Sequence, residues 1–476
     1  MTQRIPDETL PRPAERSWWL EEALALPELA GEPCPPLDRD TAADVLIVGG
    51  GYAGMWTAWF LTEREPGIDV VLVEQDICGG GPSGRNGGFL NGLYDDARYL
   101  IRRFGEGGRR TVEMAARSID EIGAWCEAQA VDAWHAVTGD LGVSTSRAQD
   151  AEVAETLAEA EDAGLGDVYR PMDSGEVRER FDSPVARVGL FVTQAAHVQP
   201  ARLARGLRRA LLERGVRIFE GTPVSRFRAG PSPVAETAGG TVRAGRAILG
   251  IGAWASEWRT FRREVMTRAS YIVVSAPAPD RLERMRWTGG EGVYDFRTAL
   301  HYLRTTPDGR IAFGGAGMRV APQRVGPRYR YDEASIRELV RDFRRWFPAF
   351  EDVPLEAAWG GPINVSGLHV PFFGTLPGGR AHYGLGFTGG GVGPCHLAGK
   401  ILSGLALDVE DEATALPLVD MDVKRFPPEP LFTPGERVVT HAILRKDALE
   451  DAGRVPGPIV APLARLPRRL GYNLGP

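Results

Sequence analysis

The sequence predicts an α/β protein: a Rossmann-like dinucleotide-binding domain carrying an inserted α+β domain built on a mixed or antiparallel sheet. Three observations predict it. A strand, a glycine-rich turn, a helix, a second strand and an acid follow one another between residues 45 and 74. Two further glycine-rich segments, 79–88 and 384–393, lie far apart in the chain. Between them the pattern leaves the nucleotide-domain style and returns to it, first at His197 and again near residue 357. With 476 residues, 43% of them hydrophobic, the chain can bury a sizeable core in two or three domains.

The first element is residues 45–54, VLIVGGGYAG, a short buried strand entering Gly49-x-Gly51-x-x-Gly54. In such a fingerprint Gly49 makes the tight turn, Gly51 lets backbone approach a pyrophosphate, and Gly54 permits close packing of helix on strand. Tyr52 and Ala53 open the helix, whose unpaired N–H groups and positive dipole end favour phosphate. The second strand, 70–73, ends in Glu74, 20 residues past the last glycine. A carboxylate there suits a ribose hydroxyl and disfavours a 2′-phosphate.

An NAD site would be complete at that point, which makes an NAD-dependent dehydrogenase the weaker alternative. A flavin dinucleotide also has a ribityl chain and a tricyclic ring to hold, so loops with little side chain to obstruct them point to FAD. Segment 79–88 reads GGGPSGRNGG, and its Ser83, Arg85, Asn86, Gly87 and Gly88 are candidate contacts to the ring system. Segment 384–393 reads GLGFTGGGVG, with Gly389, Gly390, Gly391, Val392 and Gly393 leading into an apolar helix expected to begin at Pro394, a residue suited to the first helical position. Its N-terminus would stabilise negative charge on a reduced flavin.

Residues 1–42 read as a Pro-rich arm with an amphipathic stretch at 18–26. Residues 43–92, 197–265 and 357–407 form the FAD-binding domain, and 93–196 and 266–356 the substrate domain. Within the latter, helical periodicity runs over 97–130, a strand-like stretch over 134–146 and an Ala/Glu-rich helix near 148–163. Helix 200–214 and strands 216–219 and 246–251 belong to the FAD-binding part. Strands 271–275, 300–305 and 311–314 and a helix at 333–346 complete the second substrate-domain piece. The tail, 408–476, is Pro- and charge-rich and reads as wrapping the surface or a neighbouring subunit, so an oligomer is compatible with it.

The segments IVGGGYAG (47–54), PSGRNGG (82–88), HVQPARLARGL (197–207), ILGIGAW (248–254) and GFTGGGVGPCHLAGK (386–400) resemble the D-amino acid oxidase superfamily of FAD-dependent oxidoreductases. The closer likeness is to gamma-glutamylputrescine oxidoreductases and aminophosphonate oxidoreductases, the latter through SWWLEEAL (17–24) and WGGPINVSGLHVPFFG (359–374). The resemblance covers roughly residues 17–460 and implies a glutathione-reductase-like FAD-binding fold. It places Val224 by the adenine and Gly252 and Trp254 by the dinucleotide. It also implies FAD, bound noncovalently, although some relatives attach flavin through a cysteine from a segment other than that of Cys395.

In such enzymes the flavin N5 takes a hydride from carbon beside a neutral amine, giving an imine that water hydrolyses to aldehyde and amine. The expected substrate is a small primary or secondary amine, a class that includes aminophosphonates and acylated polyamines. Alternation along 300–304 puts Tyr302 and Arg304 on one strand face, Tyr302 to orient the amine and Arg304 to pair with an anionic end. His301 and His197 read as structural. Relatives that oxidise glycine or D-amino acids carry a carboxylate-binding arginine before the last glycine segment, whereas 359–364 here, WGGPIN, has none. An amino acid oxidase or dehydrogenase is therefore the nearest rival, and a partner-binding subunit with structural FAD is an alternative of another class. Sarcosine oxidases use a lysine near the flavin to promote reaction with oxygen. Lys400, Lys424 and Lys446 are the only lysines here, so the electron acceptor is oxygen or another carrier.

No apolar run approaches the roughly 20 residues of a membrane span, and the N-terminal sequence lacks the apolar stretch of a secretory signal. The chain is expected in the cytoplasm. A net charge of −7 argues against nucleic-acid binding. The four cysteines show neither metal-site spacing nor a disulfide framework, so no metal is expected.

Overall fold

The computed structural model describes residues 10–315, 317–319 and 324–473. Two sheets organise it. The first has a parallel core in the order Ala381–Leu385, Gly240–Leu249, Thr41–Val48, Val70–Val73, Arg217–Phe219, with the antiparallel pair Arg226–Arg228 and Val234–Thr237 added beside Gly240–Leu249. Leu46, Ile47, Val71 and Leu72 are wholly buried, as strands covered on both faces require. The helices Tyr52–Arg64 and Val392–Ala406 lie together beside this sheet, and Gly399 sits against the Trp56 backbone at 2.7 Å from where a Cβ would be.

The second sheet has nine strands, in the order Arg12–Pro13, Leu355–Ser366, Val265–Ser275, Ile311–Gly315, Tyr302–Thr305, Gly292–Asp295, Asp140–Val143, Gly189–Val192, Tyr169–Met172. It is mixed, with most pairs antiparallel. Side-chain alternation separates its faces. Val273, Phe313, Leu303, Val293 and Leu141 stand side by side in register and pack under the helix Glu333–Trp346. One residue along, the row Ile272, Gly314, Tyr302, Tyr294, Gly142 faces the other way.

Several expectations shift. The helical stretch at 97–130 is two helices, Ala97–Phe104 and Glu106–Ala128, parted at Gly105 with φ +56°. The stretch expected to resume the FAD-binding domain at 357 begins as a strand of the nine-stranded sheet, Leu355–Ser366, paired along its length with Val265–Ser275. The tail contains a 20-residue helix, Phe432–Asp451, that the reading of a Pro- and charge-rich wrap did not include. The N-terminal stretch is a helix, Trp18–Leu24. Its cap Ser17 accepts from Leu20 N–H and donates to the Gly84 carbonyl at 2.6 Å, pinning the arm to the second glycine segment. No helix of the described residues is long and apolar enough to cross a membrane.

Candidate active site

The fingerprint makes a cradle. Gly49 has φ +110°, and a Cβ there would lie 2.4 Å from the Gly250 carbonyl oxygen; at Gly54 it would lie 2.1 Å from the Gly49 oxygen. Both positions therefore require glycine, Gly49 for its turn and Gly54 for packing. Gly51 caps the helix Tyr52–Arg64, and Ser83 Oγ reaches over to accept from Tyr52 N–H at 2.9 Å. The Tyr52 side chain is turned inward, donating to the Pro200 carbonyl. Glu74 follows the second strand, and its oxygens fix the turn, accepting from Gly50 N–H at 2.7 Å and Asp76 N–H at 2.9 Å. Burial pushes its carboxyl up to about 7.

A cavity of about 1410 Å³ opens from this cradle, larger than a site for a drug-sized ligand alone. Gly49, Gly51, Tyr52, Ala53, Glu74, Val224, Gly252 and Trp254 line one end. Ser83, Arg85, Asn86 and Gly87 continue the wall, met by Gly389, Gly390, Gly391 and Val392. Asn86 holds its own loop, donating to the Pro82 and Ser83 carbonyls and accepting from Gly88 N–H. Arg85 donates to the carbonyls of Gly80 and Gly360, and burial lowers its guanidinium to about 10. No carboxylate pairs with Arg85 among the described residues.

The helix after the third segment starts at Val392, two residues before Pro394, with Gly391 as its cap. Proline is tolerated there because the first turn has no intrahelical acceptor for its N–H. Gly54, Gly88 and Gly393 are not in the cavity wall. They lie one layer behind it, where a Cβ would meet the carbonyl oxygens of Gly49, Val198 and Asn91 at 2.1, 2.1 and 2.6 Å.

The floor beyond is the Tyr302 face of the nine-stranded sheet. The Tyr302 ring lies over Gly314 and beside Gly87, at 2.2 and 2.8 Å from where their Cβ atoms would be, and its hydroxyl shares a 2.8 Å hydrogen bond with Ser270 Oγ. Tyr294 lies over Gly142 in the same way. Arg304 shares the strand face of Tyr302 but does not line the cavity. It is 4% exposed, donates to the Val198 carbonyl, and is lowered to about 10 by burial. Of the two residues on this strand face, Tyr302 lines the cavity and Arg304 does not.

Other wall residues are invisible to sequence motifs. Asn364, at the arginine-free stretch, donates to the Gly252 carbonyl at 2.9 Å and accepts from Gly386 N–H, tying two glycine segments together. Arg268 lines the cavity but is engaged by Glu436 and Thr440 of the helix Phe432–Asp451, which adds Val439 and Ile443 to the wall. Asp95, Asp96 and His369 line the cavity as well. His369, with φ +69°, donates from Nδ1 to Asp96 at 3.1 Å. His197 and His301 do not line the cavity and are bonded to Asp140 and to Asp295. Lys400, Lys424 and Lys446 are absent from the cavity wall, and no group of metal-ligating side chains occurs among the described residues.

A family model described as FAD dependent oxidoreductase matches residues 44–405. A probable oxidoreductase OrdL of Rhizobium meliloti (strain 1021) is 29% identical over 84% of this chain and 90% of its own length. Gamma-glutamylputrescine oxidoreductase of Escherichia coli (strain K12) is 27% identical over 78% of this chain and 85% of its own. Among solved structures, glycine oxidase from Geobacillus kaustophilus superposes with a TM-score of 0.68 at 20% identity, over 82% of this chain and all of that one. The glycine cradle, the buried turn at Glu74 and the cavity volume fit FAD, with Gly49, Gly51 and Ser83 available to the phosphates, Glu74 to the ribose, and Arg85 and the Gly389–Val392 turn to the ring.

Proposed function

The chain belongs to the family of FAD-dependent oxidoreductases, and on that premise we propose that it oxidises the C–N bond of a small primary or secondary amine. The product is an imine, which water hydrolyses to aldehyde. The single observation that carries this reading is the continuity of the cavity, which runs from the dinucleotide cradle to a floor of tyrosines, with Arg268 in its wall already paired to Glu436. When bound, FAD supplies a hydride acceptor at N5 and passes the electrons to oxygen or another carrier.

The chain's own residues position the amine. Tyr302, with its hydroxyl held by Ser270 and pushed up to about 12 by burial, stays neutral across the working pH range. It can accept from the substrate nitrogen or donate to its lone pair without carrying charge to the reacting carbon. Gly87 and Gly314 leave the space its ring occupies. The apolar wall around Val392 and Ile363 limits water at the floor, which favours an uncharged amine there.

The amino acid oxidase alternative is weakened on two counts. Arg304 donates to a backbone carbonyl outside the cavity, and Arg268 is already paired with Glu436. The Cys395 thiol is buried and pushed up in pKa, so it stays protonated, which supports noncovalent FAD. The test is flavin absorbance of the purified protein mixed anaerobically with gamma-glutamylputrescine, 2-aminoethylphosphonate, its N-methyl form, sarcosine and glycine. Bleaching by an amine that lacks an α-carboxylate supports the reading. Bleaching by glycine or sarcosine alone would replace it with amino acid oxidation, and a flavin left oxidised by every amine would point to a structural role for FAD.

A further inference from the structure

We propose that the C-terminal segment 431–473 is a docking face for an anionic lipid surface, on which the protein lies without crossing it. The apolar side chains point there. The four most exposed large hydrophobic residues among the described ones are Val455, Ile459, Leu431 and Leu470, at 91%, 73%, 70% and 55%. All four belong to this one segment. Exposed aliphatic residues scattered singly over a surface are ordinary, whereas a concentration of them marks an interaction site. The helices Val460–Ala464 and Leu466–Arg469 bury none of their residues, so the segment holds apolar groups outward instead of using them in its own packing.

The charges of the segment are sorted by side. After residue 430 the acids are Glu436, Asp447, Glu450 and Asp451. They turn inward, to Arg268, Arg297 and Lys446. Arg437, Arg445, Arg454, Arg465 and Arg469 are exposed, and none of them meets a carboxylate among the described residues. The outward side of the segment is therefore basic, on a chain whose net charge is −7.

That combination selects the occupant. A second copy meeting this face about a twofold axis would set arginines against arginines, with no outward acid of the segment to answer them. A nucleic acid would answer the arginines but offers no apolar phase to Val455, Ile459 or Leu470. Anionic lipid answers both, its headgroups taking the guanidinium groups and the acyl boundary taking the aliphatic side chains. No helix of the described residues can span a bilayer, so contact is confined to the interface. On the helix Phe432–Asp451 the side opposite Arg437 and Arg445 carries Val439 and Ile443 into the cavity wall. Docking would hold the cavity about one helix diameter, 10–12 Å, from the lipid.

The experiment sediments the flavin-loaded, full-length protein with vesicles of phosphatidylcholine alone and with vesicles that also contain phosphatidylserine, at low and at physiological salt. Binding to the anionic vesicles is expected to be at least ~10-fold tighter and to weaken as salt rises. Arg465→Gln with Arg469→Gln should weaken it ~10-fold or more, at about fivefold per arginine. Val455→Ser with Ile459→Ser should weaken it by a similar factor. All four side chains are exposed, so both variants should keep wild-type flavin content and melting temperature. No binding to anionic vesicles, equal binding to both kinds, or binding that survives either pair of substitutions overturns the proposal. A dimer that forms without any vesicle binding and dissociates in the serine variant assigns the face to a second copy instead. None of these readouts depends on which amine reduces the flavin, so the outcome is separate from the oxidation proposed above.

Discussion

Substituting Gly54 by alanine tests the cradle at its tightest point. The added Cβ would lie 2.1 Å from the Gly49 carbonyl oxygen and 3.1 Å from Ile47 Cγ2. The first distance is more than 1 Å short of ordinary contact and the atom it meets is backbone, so the helix Tyr52–Arg64 has to withdraw from the turn. Overpacking of this kind costs about 1–3 kcal/mol. In a chain this long that lowers the melting temperature by only a few degrees, roughly 2–4 °C per kcal/mol or less. The larger effect falls on FAD. Withdrawal carries the helix N-terminus away from the phosphates, and loss of one or two charge-assisted hydrogen bonds of about 1.5–3 kcal/mol each weakens binding ~10-fold to more than 100-fold. The assay is the flavin-to-protein absorbance ratio after dialysis, beside a thermal melt. Gly67→Ala is the control, because nothing lies within 4 Å of a Cβ at that exposed position. A Gly54→Ala protein that keeps wild-type flavin content and affinity refutes the assignment of this turn as the phosphate cradle.

Three other outcomes are expected. The flavin-free protein should lose stability as pH rises from about 4.5 through about 7, because burial raises the folded-state pKa of Glu74 to about 7 and the protonated form is favoured below the unfolded value. The melting difference between wild type and Glu74→Gln isolates this contribution, about 3 kcal/mol at full ionisation, and a difference independent of pH contradicts it. Tyr302→Phe should lower the limiting rate of flavin reduction by ~10-fold with flavin content intact; stopped-flow reduction by the best amine is the measurement, and an unchanged rate removes Tyr302 from the positioning role. Arg304→Met should leave apparent substrate affinity within about twofold while lowering stability by about 1–3 kcal/mol as the Val198 carbonyl loses its donor, read by substrate titration and denaturant melts.

What was legible in the sequence was what local backbone geometry demands. The glycines at 49 and 54 have steric reasons confined to their own turn, and the tyrosine at 302 follows from two-residue alternation. Arg304 shows the limit of that reasoning: alternation fixes a face, but where a cavity ends along that face depends on Val198 and Gly88, more than 100 residues earlier in the chain. Asp95 and His369 reach one place from the loop after the second glycine segment and the turn after Leu355–Ser366, with no spacing that links them. The helix Phe432–Asp451 was hidden for a different reason. Its charged residues Glu436 and Asp447 are buried, 9% and 1% exposed, where they meet Arg268, Arg297 and the Ala299 N–H.

Those inward charges bear on how the cavity is built. A helix docked by apolar packing alone would have announced itself by an amphipathic stripe, whereas this one is positioned by specific pairs to two segments of the nine-stranded sheet domain, Arg268 on the strand Val265–Ser275 and 297–299 in the loop between Gly292–Asp295 and Tyr302–Thr305. Arg268 therefore faces the cavity with its charge already answered by Glu436, and the wall it contributes is close to neutral. The anion-binding capacity that the Arg268 guanidinium would bring is cancelled at the wall by Glu436.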